Sequence, residues 1–187
     1  MRVLLIDNND SFTYNLKHYI DQFATEVIVC RGSEIELDSI DQFDKIILSP
    51  GPGLPNEHPV LKQVLACYYN KKPIIGICLG QQAIAEFFNA NLENLTTVKH
   101  GVTSIASHFN NSELFKGIPR NFKIGHYHSW IVSKINFPEE LRITSENEDG
   151  IITSLNHKKH DITAVQFHPE SILTEHGLQL IKNWVLA

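Results

Sequence analysis

The segment Gly76-Ile77-Cys78-Leu79-Gly80 places a thiol between two glycines at the end of an apolar run. Glycine-x-nucleophile-x-glycine is the pattern of a nucleophile elbow, here with cysteine in the serine slot. An elbow nucleophile sits on a sharp strand-to-helix turn with strained dihedrals. Side chains at the flanking positions would collide with nearby backbone. The helix that follows aims its positive end at the sulfur, which favours thiolate over thiol. The backbone N–H of Leu79 is then placed to donate to an oxyanion. A buried core cysteine is the competing reading for any cysteine. It is the one that fits Cys30 and Cys67, which fall in a strand run and on a helix face. For Cys78 the two glycines and the strand-to-helix position favour chemistry.

A cysteine nucleophile needs a base, and the base needs a group to orient it. Ten histidines compete for the role. Most are expected at the surface, with His157 and His160 in a polar turn beside Lys158 and Lys159. His168 differs, because it ends the strand-like run Ala164-Val165-Gln166-Phe167 and is followed by Pro169 and Glu170. Proline stops the strand, and Glu170 can turn back to accept the imidazole N–H, the third role of a triad. A surface His-Pro turn fits the same spacing. A third segment, Ser49-Pro50-Gly51-Pro52-Gly53-Leu54-Pro55, combines stiff prolines with glycines whose amides a ligand can approach closely. At the carboxyl end of a strand it suits an oxyanion or carboxamide cradle, although an ordinary loop would read the same way. No Gly-Lys-Ser/Thr follows, so it is not a phosphate-binding Walker loop.

The elements that must position these residues can be read from periodicity. Residues 3–6, 26–30, 45–49 and 73–78 are apolar, partly β-branched runs and read as buried strands. Between them, Asp10 or Ser11 can cap a helix with Phe12, Leu16, Tyr19, Ile20 and Phe23 at helical spacing. A second helix over 60–69 carries Val60, Leu61, Val64, Leu65 and Tyr68 on one face, and a third starts at Gln82. Strands alternating with helices imply βαβ units and a parallel sheet covered on both faces. The second half offers short strand candidates at 103–107, 122–125, 131–132, 141–144, 151–155 and 164–167 with little helix between them. They read as antiparallel or mixed additions. A last helix over about 175–185 would bury Leu178, Ile181, Trp184 and Val185. The expectation is an α/β fold, with a central, mostly parallel sheet flanked by helices, antiparallel strands added in the C-terminal half, and a flavodoxin-like core. Residues 1–187 form a single domain in this reading.

Bulk composition narrows the function classes. The chain has 187 residues, 42% of them hydrophobic and 20% charged, with a formal net charge of -5. Charges of both signs are mixed along it, so no basic stripe marks a nucleic-acid footprint. No apolar stretch approaches the ~20 residues of a membrane span, and the N-terminal run is too short for a signal-peptide core. Three cysteines fit neither a zinc pattern nor a disulfide framework; reduced thiols and a cytoplasmic location are expected.

Elbow, base and loop together resemble the class I glutamine amidotransferases. Within them the chain is most similar to the small subunits of anthranilate synthase and aminodeoxychorismate synthase. The matching stretches are Asp7-Asn8-Asn9-Asp10-Ser11-Phe12-Thr13-Tyr14-Asn15-Leu16, the loop from Ser49 to Pro55, and Gly76-Ile77-Cys78-Leu79-Gly80-Gln81-Gln82-Ala83-Ile84. They continue with Lys99-His100-Gly101, Tyr127-His128-Ser129 and Gln166-Phe167-His168-Pro169-Glu170-Ser171-Ile172-Leu173-Thr174. The resemblance implies Cys78 as nucleophile, His168 as base and acid, and Glu170 as orienter. It implies a glutamine pocket lined by Gly51, Pro52, Gly53, Leu79, Gln82, Ser129 and Trp130. No metal or organic cofactor is implied. The implied partner is a chorismate-binding synthase subunit that uses the ammonia in making anthranilate for tryptophan, or aminodeoxychorismate for folate. Four positions depart from the family pattern. Gln81 stands where histidine is usual, Val102 where lysine is usual, His126 where arginine commonly precedes the tyrosine, and Trp130 where an aliphatic residue is more usual. Rival readings are another cysteine hydrolase on a similar sheet, and a docking subunit without catalysis.

Overall fold

Alternate residues of the first strand, β1 (Arg2–Asp7), go to opposite sides of one sheet. Val3 and Leu5 pack with one buried cluster, Leu4 and Ile6 with the other. The same split recurs in β3 (Lys45–Leu48), where Ile46 and Leu48 oppose Ile47. It recurs again in β4 (Ile74–Ile77), where Ile74 opposes Ile75 and Ile77. Each fully buried Ile or Leu is worth ~1.5–3 kcal/mol, so strands apolar on both sides are stable only when both faces are covered. Helices α2 (Pro59–Tyr68) and α3 (Leu79–Phe87) cover one face. Helices α1 (Thr13–Ile20) and α4 (Gly177–Leu186) cover the other.

The computed structural model describes residues 1–109 and 111–187. Within them a single sheet runs in the order β2-β1-β3-β4-β9-β8-β7-β5-β6. The remaining strands are β2 (Glu26–Arg31), β5 (Leu92–His108), β6 (Asn121–Val132), β7 (Leu141–Asn147), β8 (Ile152–His157) and β9 (Ile162–Val165). Pairings from β2 through β9 are parallel; those of β9–β8, β8–β7, β7–β5 and β5–β6 are antiparallel. This is the mixed α/β arrangement expected from the alternation of patterns.

Several boundaries differ from expectation, for identifiable reasons. The short run 103–107 belongs to a 17-residue strand, β5. Of its first eleven residues only Leu92 and Leu95 are apolar and half-buried, and the rest are polar or exposed, so no apolar alternation marks them. The runs 122–125 and 131–132 are one strand, β6, joined through histidines and Trp130. Helix α3 begins at Leu79, directly after the nucleophile position, instead of at Gln82. Strand β9 ends at Val165, which leaves Gln166 and Phe167 in the connection that follows. In α4, Leu180 takes the buried place expected for Leu178, which is exposed. Neither Asp10 nor Ser11 caps α1; Phe12 is the N-cap residue, and the Asp10 carboxylate accepts the Phe12 N–H at 2.8 Å.

Candidate active site

Cys78 occupies the junction between β4 and α3 with φ 52° and ψ -101°, a conformation that L-residues avoid. The surroundings hold it there. Its N–H donates to the Val165 carbonyl at 2.8 Å, which ties the elbow to the end of β9. A Cβ at Gly76 would strike the Gly80 carbonyl, and one at Gly80 would strike the Leu48 carbonyl. The elbow pattern in the sequence therefore reflects real close approach of three chain segments. As the first residue of α3, Leu79 has an N–H without an intrahelical acceptor.

The candidate base, His168, reaches Cys78 from the segment after β9. His168 and Glu170 are both buried, and His168 Nδ1 lies 2.7 Å from Glu170 Oε1. The other nitrogen, Nε2, is buried and makes no well-aligned hydrogen bond; the Cys78 thiol is the polar group beside it. Burial disfavours the charged ring. The polar contact with Cys78, the hydrogen bond to Glu170 and the negative charge of both outweigh burial and raise the His168 pKa well above its ordinary value. A charged imidazole beside the sulfur is the state these neighbours favour.

The segment that carries His168 is strapped to β6. The Thr174 hydroxyl donates to the His168 carbonyl at 2.6 Å and accepts the Gly125 N–H at 3.0 Å. Tyr127 and Ser171 share a 2.9 Å hydroxyl contact, and the Tyr127 and Phe12 rings pack against the imidazole. Asp10 also approaches: one ligand atom from each of Asp10, His168 and Glu170 lies within 4.8 Å of the others. Among the described residues this trio could hold a cation, although one histidine nitrogen and one Glu170 oxygen are already engaged with each other.

A cavity of about 160 Å³ opens at the sulfur. It is lined by Gly51, Pro52, Gly53, Cys78, Leu79, Gln82, Ser129 and Trp130, together with Val98, Tyr127 and His128. Every residue expected in the binding pocket thus meets in one place. The Gly-Pro loop is pinned by the end of β1: the Asn8 N–H and its side-chain amide donate to the Ser49 hydroxyl and carbonyl at 2.9 and 3.1 Å. Trp130 contributes its backbone as well, since its carbonyl accepts from Gln82 Nε2 at 2.9 Å. That contact is indifferent to the side chain, which softens the departure from an aliphatic residue there. A larger cavity of about 790 Å³ lies between α2 and α3. It contains no cysteine, serine, threonine or histidine and none of the expected residues.

Sequence reasoning missed three things here. Val98 lines the cavity from the polar stretch of β5, where nothing marked it. His128 lines it too, inside the Tyr127-His128-Ser129 match but without an assigned role. The expectation that most histidines are exposed is wrong, because His108, His126, His128, His157 and His168 are buried. Single-sequence periodicity does not separate a buried hydrogen-bonded histidine from a solvated one. His126 and His128 form a buried pair, with His126 Nδ1 2.9 Å from His128 Nε2 and His126 Nε2 2.6 Å from the Ser104 hydroxyl. Burial, then nearby Lys99, pushes the His126 pKa down to about 4. Burial, then its neighbour His126, pushes that of His128 down to about 3. Cys30 and Cys67 are half-buried against the core, not sealed in it, and none of the three cysteines is in a disulfide. Gln81 is fully buried with neither amide atom hydrogen-bonded.

Against known proteins, the pattern of the glutamine amidotransferase class-I family matches residues 4–187. The chain belongs to the class I glutamine amidotransferase family. Among family relatives, anthranilate synthase component 2 of Pyropia yezoensis is 40% identical over 186 residues, covering 98% of this chain and 98% of that protein. Aminodeoxychorismate synthase component 2 of Klebsiella aerogenes is also 40% identical, over 185 residues and 98% of each chain. A crystal structure from Thermoplasma acidophilum, described as that of a GMP synthase protein, superimposes with a TM-score of 0.88 at 22% identity. It covers 99% of this chain and 92% of that one, which establishes the shared amidotransferase fold.

Proposed function

We propose that this amidotransferase is the glutaminase subunit of anthranilate synthase, with Cys78 as nucleophile, His168 as base and acid, and Glu170 as orienter. The observation that carries the reading is the convergence at one small cavity of a strained elbow thiol and a buried His-Glu pair. About 160 Å³ is well below the ~300–1,000 Å³ of pockets for larger ligands, and suits one amino acid such as glutamine.

The Cys78 thiolate attacks the side-chain carboxamide carbon of glutamine. The N–H of Leu79 and amides of the Gly51–Gly53 loop receive the oxyanion; loss of one such donor costs ~3 kcal/mol of barrier. His168 protonates the departing nitrogen, ammonia leaves, and a γ-glutamyl thioester remains. His168 then takes a proton from water, the hydroxide oxygen bonds to the acyl carbon, and glutamate is released from sulfur. The remaining pocket surfaces, Pro52, Gln82, Ser129 and Trp130, hold the substrate backbone and amide. The reaction as written calls for no metal or organic cofactor.

Ammonia protonated in bulk water is no longer a nucleophile, so the product must pass directly to a second active site. We assign that site to a chorismate-binding synthase subunit in the same, cytoplasmic, complex. The Pyropia relative supports the anthranilate, tryptophan-forming partner. The equal identity of the Klebsiella relative supports the alternative, a folate-forming aminodeoxychorismate synthase. No helix among the described residues is long and apolar enough to cross a membrane, and no membrane or nucleic-acid partner enters the reading.

The test is glutamate release from glutamine by the chain with and without a co-expressed synthase subunit, with product identification by chromatography. Wild type should release glutamate and Cys78→Ser should not, with the rate rising when the partner holds chorismate. Equal release by Cys78→Ser would overturn the mechanism. Turnover indifferent to the partner would overturn the coupling.

A further inference from the structure

Gln166 is completely buried, and the mechanism above leaves it without a task. Its side-chain Nε2 lies 3.5 Å from Cys78 Sγ, the reacting atom, although 88 positions separate the two residues in the chain. A glutamine amide is nearly symmetric in shape, so its neighbours decide whether it shows the sulfur a donor or an acceptor. Here they leave one answer. The Trp130 carbonyl can only accept, so Gln82 must turn Nε2 towards it, at 2.9 Å. The same Nε2 offers its second N–H to Gln166 Oε1 at 3.3 Å. With its oxygen facing Gln82, Gln166 presents Nε2 to the sulfur. The reverse orientation would set two NH₂ groups against each other and a carbonyl oxygen against the sulfur lone pairs.

We propose that Gln166 is a further catalytic residue, whose amide N–H donates to the Cys78 sulfur and stabilises it as thiolate. This inference rests on the reading of Cys78 as nucleophile. It adds a second side-chain partner for a buried anion, besides the imidazole. It also bears on the second half of the reaction. When water adds to the thioester, the C–S bond breaks and its electron pair returns to sulfur. A thiolate accepts a hydrogen bond far better than a thioester sulfur, so the Gln166 donor strengthens as the bond breaks and promotes release of glutamate. Through Gln82 the donor is anchored to the Trp130 carbonyl in the cavity wall, so the orientation of Gln166 depends on the wall of the substrate pocket.

The test is the rate of Cys78 alkylation by iodoacetamide against pH, followed by mass spectrometry on the full chain. Wild type is compared with Gln166→Met, similar in length without a donor, and with the isosteric Gln166→Glu. In Gln166→Met, alkylation at neutral pH should fall roughly ten- to hundredfold, the usual worth of a hydrogen bond to a charged group, and the curve should move to higher pH. Gln166→Glu should fall further, because its carboxylate repels the thiolate. With glutamine as substrate, Gln166→Met should accumulate the γ-glutamyl adduct (a mass readout that a merely structural residue would not change). Wild-type curves in either folded variant would overturn the inference. Cys78 reacting no faster than Cys30 and Cys67 in the wild type would instead overturn the nucleophile assignment on which it rests.

Discussion

The strands β1, β3, β4 and β9 and the ribbon made by β5 and β6 solve opposite problems in the same sheet. The parallel strands are buried on both faces, and their apolar residues divide between two cores. The outer part of the ribbon, from Leu92 to Val102, is half-exposed or exposed throughout and pairs only with β6, with register shifts between Asn94 and Lys99 and between His100 and Val102. Cys78 and His168 follow the parallel strands β4 and β9, while Ser129, Trp130 and the strap on the His168 segment come from the ribbon. The candidate reacting groups therefore rest on the stiff half, and one side of the cavity wall on the half whose local sequence is under weaker packing constraint. Three of the four departures from the family pattern, Val102, His126 and Trp130, lie in the ribbon.

Four experiments would break or sharpen this contrast, from the largest effect to the smallest. Glu170→Gln, in the segment after β9, should lower kcat by roughly 10²–10⁴-fold, because the imidazole loses the carboxylate that orients it. Steady-state glutamate release measures this, and a loss below fivefold would remove Glu170 from the triad. Gly80→Ala, behind the elbow, should destabilise the protein by about 1–3 kcal/mol or more, since its methyl meets the Leu48 carbonyl and backbone cannot give way as a side chain does. A urea midpoint equal to wild type would show that the elbow is less tightly packed than described.

The third experiment concerns pH and the ribbon. His126 and His128 have folded-state pKa values of about 4 and about 3, below the ~6.5 of an unfolded chain. Below ~6.5 the unfolded chain binds protons that the folded pair excludes. Their contribution is therefore fully present above ~6.5 and is lost as pH falls towards 4. His168, whose pKa is raised, acts the other way: its contribution is full below ~6.5 and fades as pH rises through its folded value. His126→Asn should flatten the acid limb of stability by about 1 kcal/mol per pH unit between 6.5 and 4. An unchanged slope in urea melts across that window would mean that the pair is not held neutral. The smallest effect is expected for Val102→Lys on the exposed ribbon face, where stability should stay within about ±0.5 kcal/mol. A larger loss in thermal melts would mean that Val102 is packed in solution.

Legibility followed the same divide. The elbow, the Gly-Pro loop and the strands at residues 3–6, 26–30, 45–49 and 73–78 were readable within a residue or two, because continuous apolar runs and turn residues are local signals. The polar stretch of β5 was not, because Leu92–Val102 has no regular apolar alternation to mark it and its pairing with β6 exists only once both strands are present. The buried histidines failed for a related reason: the partner that satisfies a nitrogen of buried His126 is the Ser104 hydroxyl, 22 positions away, and not its own neighbourhood in the chain.

By itself the sequence determined the chemistry on offer: a thiol between two glycines, an imidazole two residues before a carboxylate, and a rigid loop of approachable amides. It also determined a parallel core, since hydrophobic runs of that length must be covered on both faces. Only the tertiary structure decided that Gln166 meets the Cys78 sulfur, that Trp130 works through its carbonyl, and that β6 holds the His168 segment against the elbow. Those contacts join residues tens of positions apart, and their geometry is set by strand order and packing, which no local pattern of side chains encodes.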